Sequence, residues 1–212
     1  MKLKKIAIAL LSLLLIAIGF SSCSEKYSSE ELISAAVPLV EASQEINEIF
    51  YGAGIPYVQS DEGDVQVLGN YRRADAEYLE KIGARTVDEL KEMTSKVYSS
   101  GACNVIFSTK LSSVSDGSTI AGYAEYAELG DAGLCVYTKR QNYIGAKTEL
   151  HTDTLTVLRV KGERAYLKMD VTLYRDSETQ KREKEFVMIK EDGEWRLDSM
   201  TYIAWDSEFV TE

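Results

Sequence analysis

The residues of this 212-residue chain best suited to nucleophilic or metal chemistry are one histidine and three cysteines. His151 stands just before Asp153, and Cys103 and Cys135 lie in the apolar contexts "ACNVIF" and "GLCVY". A Cys–His hydrolase needs a thiolate against an imidazole and a third group to orient that imidazole, and neither apolar context supplies such a setting. A zinc site needs three or four ligands, for which one histidine and two apolar-flanked cysteines fall short. The chain has no G-x-S-x-G, H-E-x-x-H, phosphate-loop or dinucleotide-binding motif. "GAG" at 52–54 follows no strand and reads as a helix end. Asp61, Glu62 and Asp64 around Gly63 lack the spacing of a calcium loop and read as a solvated turn. Carboxylates are numerous enough that close pairs identify nothing. No catalytic residue, metal or cofactor is expected, and the chain reads as a non-enzyme.

The third cysteine, Cys23, carries a different chemistry. Lys2, Lys4 and Lys5 precede an apolar run of 14 residues, Ile6 to Gly19, and Phe20, Ser21 and Ser22 lead into the cysteine. A spanning helix needs ~20 apolar residues, whereas the core of an export signal needs ~7–15. Small residues before a cysteine resemble the lipobox of bacterial lipoproteins, although Phe20 replaces the usual aliphatic residue. That resemblance implies cleavage before Cys23 and diacylation of its thiol. Each buried methylene contributes about 0.8 kcal/mol and one chain holds weakly, so two chains make the tether durable. The expected organisation is a lipoprotein signal peptide at 1–22, a lipidated tether at 23–28 and a single domain at 29–212, outside the cytoplasm on the outer face of the membrane.

Without residues 1–22 the Lys+Arg count falls from 24 to 21 against 34 Asp+Glu, a net charge of −13 over the remaining 190 residues. That field disfavours nucleic acid and other polyanions and steers a basic partner inward; it also keeps an exported protein soluble. Cys103 and Cys135 form an even pair, which an oxidising compartment could bridge, but both could equally be small buried hydrophobes. The 13 tyrosines against five phenylalanines suit strands and interfaces.

The positioning elements follow from spacing. Ser28 and Glu31 make a capping box ahead of Leu32, Ile33, Ala36, Val37, Val40, Ile46, Ile49 and Phe50 at helical intervals, with Pro38 expected to kink or divide the run. "YRRADAEYL" reads as a strand. Thr86 and Glu89 open a second helix, Ser99 or Ser100 caps a third, and "YAEYAEL" and "LCVYTKR" read as strands. From about residue 150 the period becomes two. Ala165, Leu167, Met169, Val171 and Leu173 alternate with Tyr166, Lys168, Asp170, Thr172 and Tyr174. "TLTVLRV" precedes, "KEFVMIK" and "EWRLDSMTYI" follow, and Asp192-Gly193 marks a hairpin. Helices first and a four-strand meander after is an α+β fold, with N-terminal helices packed on a curved antiparallel sheet.

On these elements, "YRRADAEYLEKIGARTVDELKEMTSKVYSS" followed by "YAEYAELGDAGLCVYTK" resembles the IseA-type DL-endopeptidase inhibitor family of bacteria, in order of elements over about residues 30–203. The resemblance implies an extracytoplasmic protein that blocks NlpC-type cysteine peptidases of the cell wall by protein–protein binding. The loops around Asp116–Tyr126 and Asp176–Gln180 are the expected contact surface, with Asp116, Tyr123, Tyr126, Asp176 and Glu178 as candidates, because they join elements and combine carboxylates or tyrosine with exposure. The alternative is a cone fold like that of nuclear transport factors, whose sheet and helices enclose a ligand. Inward polar groups around a pocket would mark that alternative, and a filled core with an acidic, tyrosine-bearing rim would mark the inhibitor.

Overall fold

A computed structural model describes residues 27–58, 66–114, 124–139 and 146–205. Helix α1 spans Ser29–Phe50 and opens on the expected capping box: the Glu31 N–H donates to Ser28 Oγ at 3.1 Å, and the Ser28 N–H donates to Glu31 Oε2 at 2.8 Å. Its buried face carries Leu32, Ala36, Val40, Ile46, Ile49 and Phe50. Pro38 neither ends nor divides the helix. It lies on the exposed side with Ser34, so the carbonyl that loses its helical donor opens toward water.

The expected strand at "YRRADAEYL" is a strand only over Tyr71–Arg73 and a helix, α2, over Ala76–Ile82. Asp75 makes the break by accepting the Tyr78 N–H at 2.8 Å, and Gly83, at φ 68°, takes the left-handed cap that ends the helix. Helices α3 (Val87–Ser95) and α4 (Ser100–Lys110) start at Thr86 and Ser99, each through a side-chain cap.

Two sheets share the core. The smaller strands β1 (Gln66–Leu68), β2 (Tyr71–Arg73), β3 (Leu111–Val114), β4 (Tyr126–Leu129) and β5 (Leu134–Tyr137) form a sheet in the order β1-β2-β5-β4-β3. Its pairs are antiparallel except β3 with β4, which run parallel. The four-strand meander is β6 (Lys147–Lys161), β7 (Arg164–Arg175), β8 (Glu178–Glu191) and β9 (Glu194–Leu197), paired in sequence order. The fold is α+β, and α1 packs against β6 and β9.

The alternation along β7 is realised. Ala165, Leu167, Met169, Val171 and Leu173 are buried in the main core beside α1 residues, Phe186, Met188 and Leu197. On the outer side Thr172 departs from the wet pattern and is buried, sharing a hydrogen bond of 2.7 Å with His151 Nε2. The register of β6 shifts between His151 and Thr156, and such a bulge bends the strand. The β8–β9 turn places Asp192 and Gly193 at φ 51° and 87°, the two positive values that a two-residue hairpin demands.

Strand direction defines two poles. The β6–β7 and β8–β9 turns meet at one end, where the Lys190 N–H donates to the Glu163 carbonyl at 2.9 Å. The β7–β8 turn, at Asp176 and Ser177, is at the other end of the 12-residue β7, about 40 Å away at ~3.3 Å per residue.

Candidate functional site

Of the candidate contact residues, Asp116 and Tyr123, like Cys23, lie outside the described residues. Tyr126 is a correction: it has no exposed surface. Its hydroxyl donates to the Ile49 carbonyl at 2.5 Å and accepts the Ile55 N–H at 3.1 Å, and its ring meets Phe50 edge-on with centroids 5.9 Å apart. The reason is its strand: β4 is internal to the five-stranded sheet, and this residue points into the main core. Tyr126 therefore clamps the C-terminal end of α1 to the sheet and cannot touch a partner.

The two body cysteines are free and buried. Cys103, on α4, belongs to the main core, whereas Cys135, on β5, packs in a separate cluster with Tyr71, Ala127, Leu129 and Tyr137. The two thiols, in different clusters, are unbridged in this structure, which gives no support to the disulfide that an even pair permitted. Burial pushes both thiols up to about 11, so neither is a thiolate at neutral pH. His151 lies inside β6, with Thr172 as its partner.

Asp176 and Glu178 are exposed at the β7–β8 turn, as expected. Asp176 takes a left-handed conformation at φ 51°, which turns the chain between the paired residues Arg175 and Glu178. Beside them lies an exposed aromatic that the loop-centred reading missed. Tyr174, 39% exposed, donates its hydroxyl to Glu149 Oε2 at 2.6 Å, across the β6–β7 ladder. That hydrogen bond to a carboxylate is the main cause raising the Tyr174 pKa. The signal was present in the alternation, where Tyr174 falls on the wet face two residues before Asp176. The rim is not uniformly acidic, because Lys147, Arg175 and Lys181 stand among Glu149, Asp176 and Glu178. Behind it, the Arg175 guanidinium lies 5.8 Å from the Trp205 ring centre, and Arg182 donates to the Trp205 carbonyl at 2.9 Å. These contacts hold the C-terminal segment against the base of the hairpin.

The interior between α1 and the sheets carries polar groups, but they are joined to one another. Thr201 Oγ1 lies 2.6 Å from Ser43 Oγ and accepts from Asn47 Nδ2 at 2.7 Å, and the Tyr98 hydroxyl donates to Asn47 Oδ1 at 3.0 Å. Nearby, Lys110 and Glu125 form a buried ion pair, and the Lys110 ammonium stands 4.9 Å from the centre of the Tyr51 ring, which stacks on Tyr202 at 4.2 Å. Burial raises the pKa of both Tyr51 and Tyr202, so their hydroxyls stay neutral. Such a partnered seam fixes the register of α1 on the sheets, and among the described residues its polar groups are taken up by one another. A cleft of about 320 Å³ lies elsewhere, on a floor of Ala74, Leu79 and Leu134 with Arg73, Glu80 and Arg85 at its edge. Among the described residues, no three His, Cys, Asp or Glu side chains converge as metal ligands, and no helix is long and apolar enough to cross a membrane. No protein-family model matches the chain, and no curated protein matches it.

Proposed function

We propose that this chain is an extracytoplasmic lipoprotein that inhibits an NlpC-type cysteine endopeptidase of peptidoglycan by binding it, and that the pole formed by Tyr174, Asp176 and Glu178 makes the contact. The observation that carries this reading is the two-pole arrangement. The chain enters the body at the pole of the β6–β7 and β8–β9 turns, and the exposed, tyrosine-bearing rim stands at the opposite end of β7. A protein tethered through Cys23 would thereby present that rim away from the bilayer, toward the wall. Among the described residues, the packing of Leu167, Met169, Val171 and Leu173 with α1 supports the same reading over a ligand-binding cone. Tyrosine beside alternating charges is the composition of a protein-binding surface. The identity of the partner rests on the family resemblance and on the net charge of −13 over residues 23–212, which favours encounter with a basic cleft.

The test is muropeptide digestion by a purified NlpC-type peptidase domain titrated with residues 24–212. A stoichiometric loss of turnover supports the reading. Full turnover at excess inhibitor, tried over several such domains, overturns it.

A further inference from the structure

We infer that Tyr27 is a docking residue that fixes the body upright on its lipid tether, so that the β7–β8 rim is held at a set height above the membrane; this rests on Cys23 being the lipid anchor. The body end of the tether, at Tyr27, is packed. Tyr27 meets Trp195 edge-on with ring centroids 5.1 Å apart and planes at 75°, and it packs against the main core. The Lys190 ammonium closes the corner, 4.9 Å from the Tyr27 ring centre and 5.8 Å from that of Trp195. Tyr27 is the residue before the N-cap of α1, the position from which a packed side chain sets the angle at which the chain enters a helix. One residue on, the capping box draws the Glu31 carboxyl pKa down through its hydrogen bonds to Ser28, with a smaller contribution from Lys190.

The geometry turns a leash into a pivot. Between Cys23 and Tyr27 the chain reaches at most ~14 Å at ~3.6 Å per residue, so the docked pole stays near the headgroups. The rim then stands roughly 40 Å further out, the length of β7 at ~3.3 Å per residue. Surface charge does not supply this orientation. At the lower pole Lys161, Arg164, Lys190 and Arg196 are outnumbered by Glu31, Glu163, Glu191, Asp192, Glu194 and Asp198, so an anionic bilayer does not draw this pole to itself. The aromatic corner is what remains to hold the angle, and a contact of that kind is insensitive to salt.

The experiment uses the full lipidated chain in phosphatidylglycerol–phosphatidylethanolamine vesicles, with a donor dye on Ser177→Cys and an acceptor on the lipid headgroups. The buried thiols of Cys103 and Cys135 do not compete for mild labelling. Wild type is expected to give low energy transfer that stays constant from low to high salt. Tyr27→Ala and Trp195→Ala are expected to raise transfer at least twofold as the body swings down, with a lowered unfolding midpoint but a body still folded at the temperature of the measurement, whereas Tyr27→Phe keeps the ring and the low value. Transfer in Tyr27→Ala equal to wild type, with the protein still on the vesicles, would overturn the docking role alone. Release of wild type from vesicles, or full retention of Cys23→Ser, would overturn the anchor and the inference with it.

Discussion

The Lys110 ammonium lies 2.5 Å from the Glu125 carboxylate, and the two side chains are only 2% and 6% exposed. Lys110 is the last residue of α4, Glu125 directly precedes β4, and the ammonium also faces the Tyr51 ring at the end of α1. One buried pair therefore ties a helix end, a strand start and the long N-terminal helix together. Removing either charge strands the other in a medium that solvates it poorly.

Glu125→Leu and Lys110→Met are accordingly each expected to destabilise the fold by ~3–5 kcal/mol, and the two together by much less than the single changes summed, because a matched apolar pair leaves no uncompensated charge. Denaturant midpoints of the two singles and the double measure this. Additive losses would mean that the two groups do not act as a pair.

Tyr126→Phe removes a hydroxyl that serves two backbone groups and leaves the Ile55 N–H without its acceptor. A loss of ~1–3 kcal/mol is expected, with inhibition per folded molecule unchanged. Weaker inhibition at unchanged stability would return Tyr126 to the contact surface.

On β7, Leu167→Ala should cost ~2–5 kcal/mol as a core truncation, while changing its neighbour Lys168, paired with Glu183 at 2.6 Å on the outer side, to Ala should cost far less, because that pair is exposed to solvent. Reversed costs would place the wrong face of the strand inward.

Alkaline pH should unfold the body before ordinary tyrosine exposure would suggest. Burial raises Tyr71 and Tyr98 to about 12 from 10.0, so the folded state holds these protons more tightly than the unfolded chain does. Their contribution is complete below pH 10.0 and is lost as pH rises to about 12. Cys103 and Cys135, raised from 9.0 to about 11, act with the same sign from lower pH. The melting temperature should therefore be free of these losses below pH 9.0 and fall between there and about 12, and a midpoint level through that window would contradict burial of these groups.

The features legible in the sequence were those whose cause is local. Ser28 with Glu31, Thr86 with Glu89, and Ser99 announce helices because a cap is a contact over three residues, and the β7 alternation announces its own buried face. Asp75 was equally local but lay behind "YRR", whose strand character carried the reading past it. Pro38 misled because the cost of an interior proline depends on whether its orphaned carbonyl reaches water, which spacing does not reveal. The parallel pairing of β3 with β4 and the burial of Tyr126 depend on partners far along the chain, and a four-residue strand with both faces covered has no alternation to betray it. At the candidate site, Asp176 and Glu178 were legible as a turn between strands, whereas the Tyr174–Glu149 contact required the register of β6 on β7.

The central claim is that a wall cysteine peptidase is held at the β7–β8 pole. Photo-cross-linking tests it most directly, with a photoreactive side chain in place of Ser177 at that pole or in place of Glu163 at the opposite one. Each protein would be mixed with an NlpC-type domain and irradiated, and the adduct mapped by mass spectrometry. The expected result is an adduct from position 177 near the peptidase active-site cleft, lost in Asp176→Asn with Glu178→Gln, and none from position 163. An adduct from position 163 alone, or inhibition with no adduct from position 177, would contradict the account.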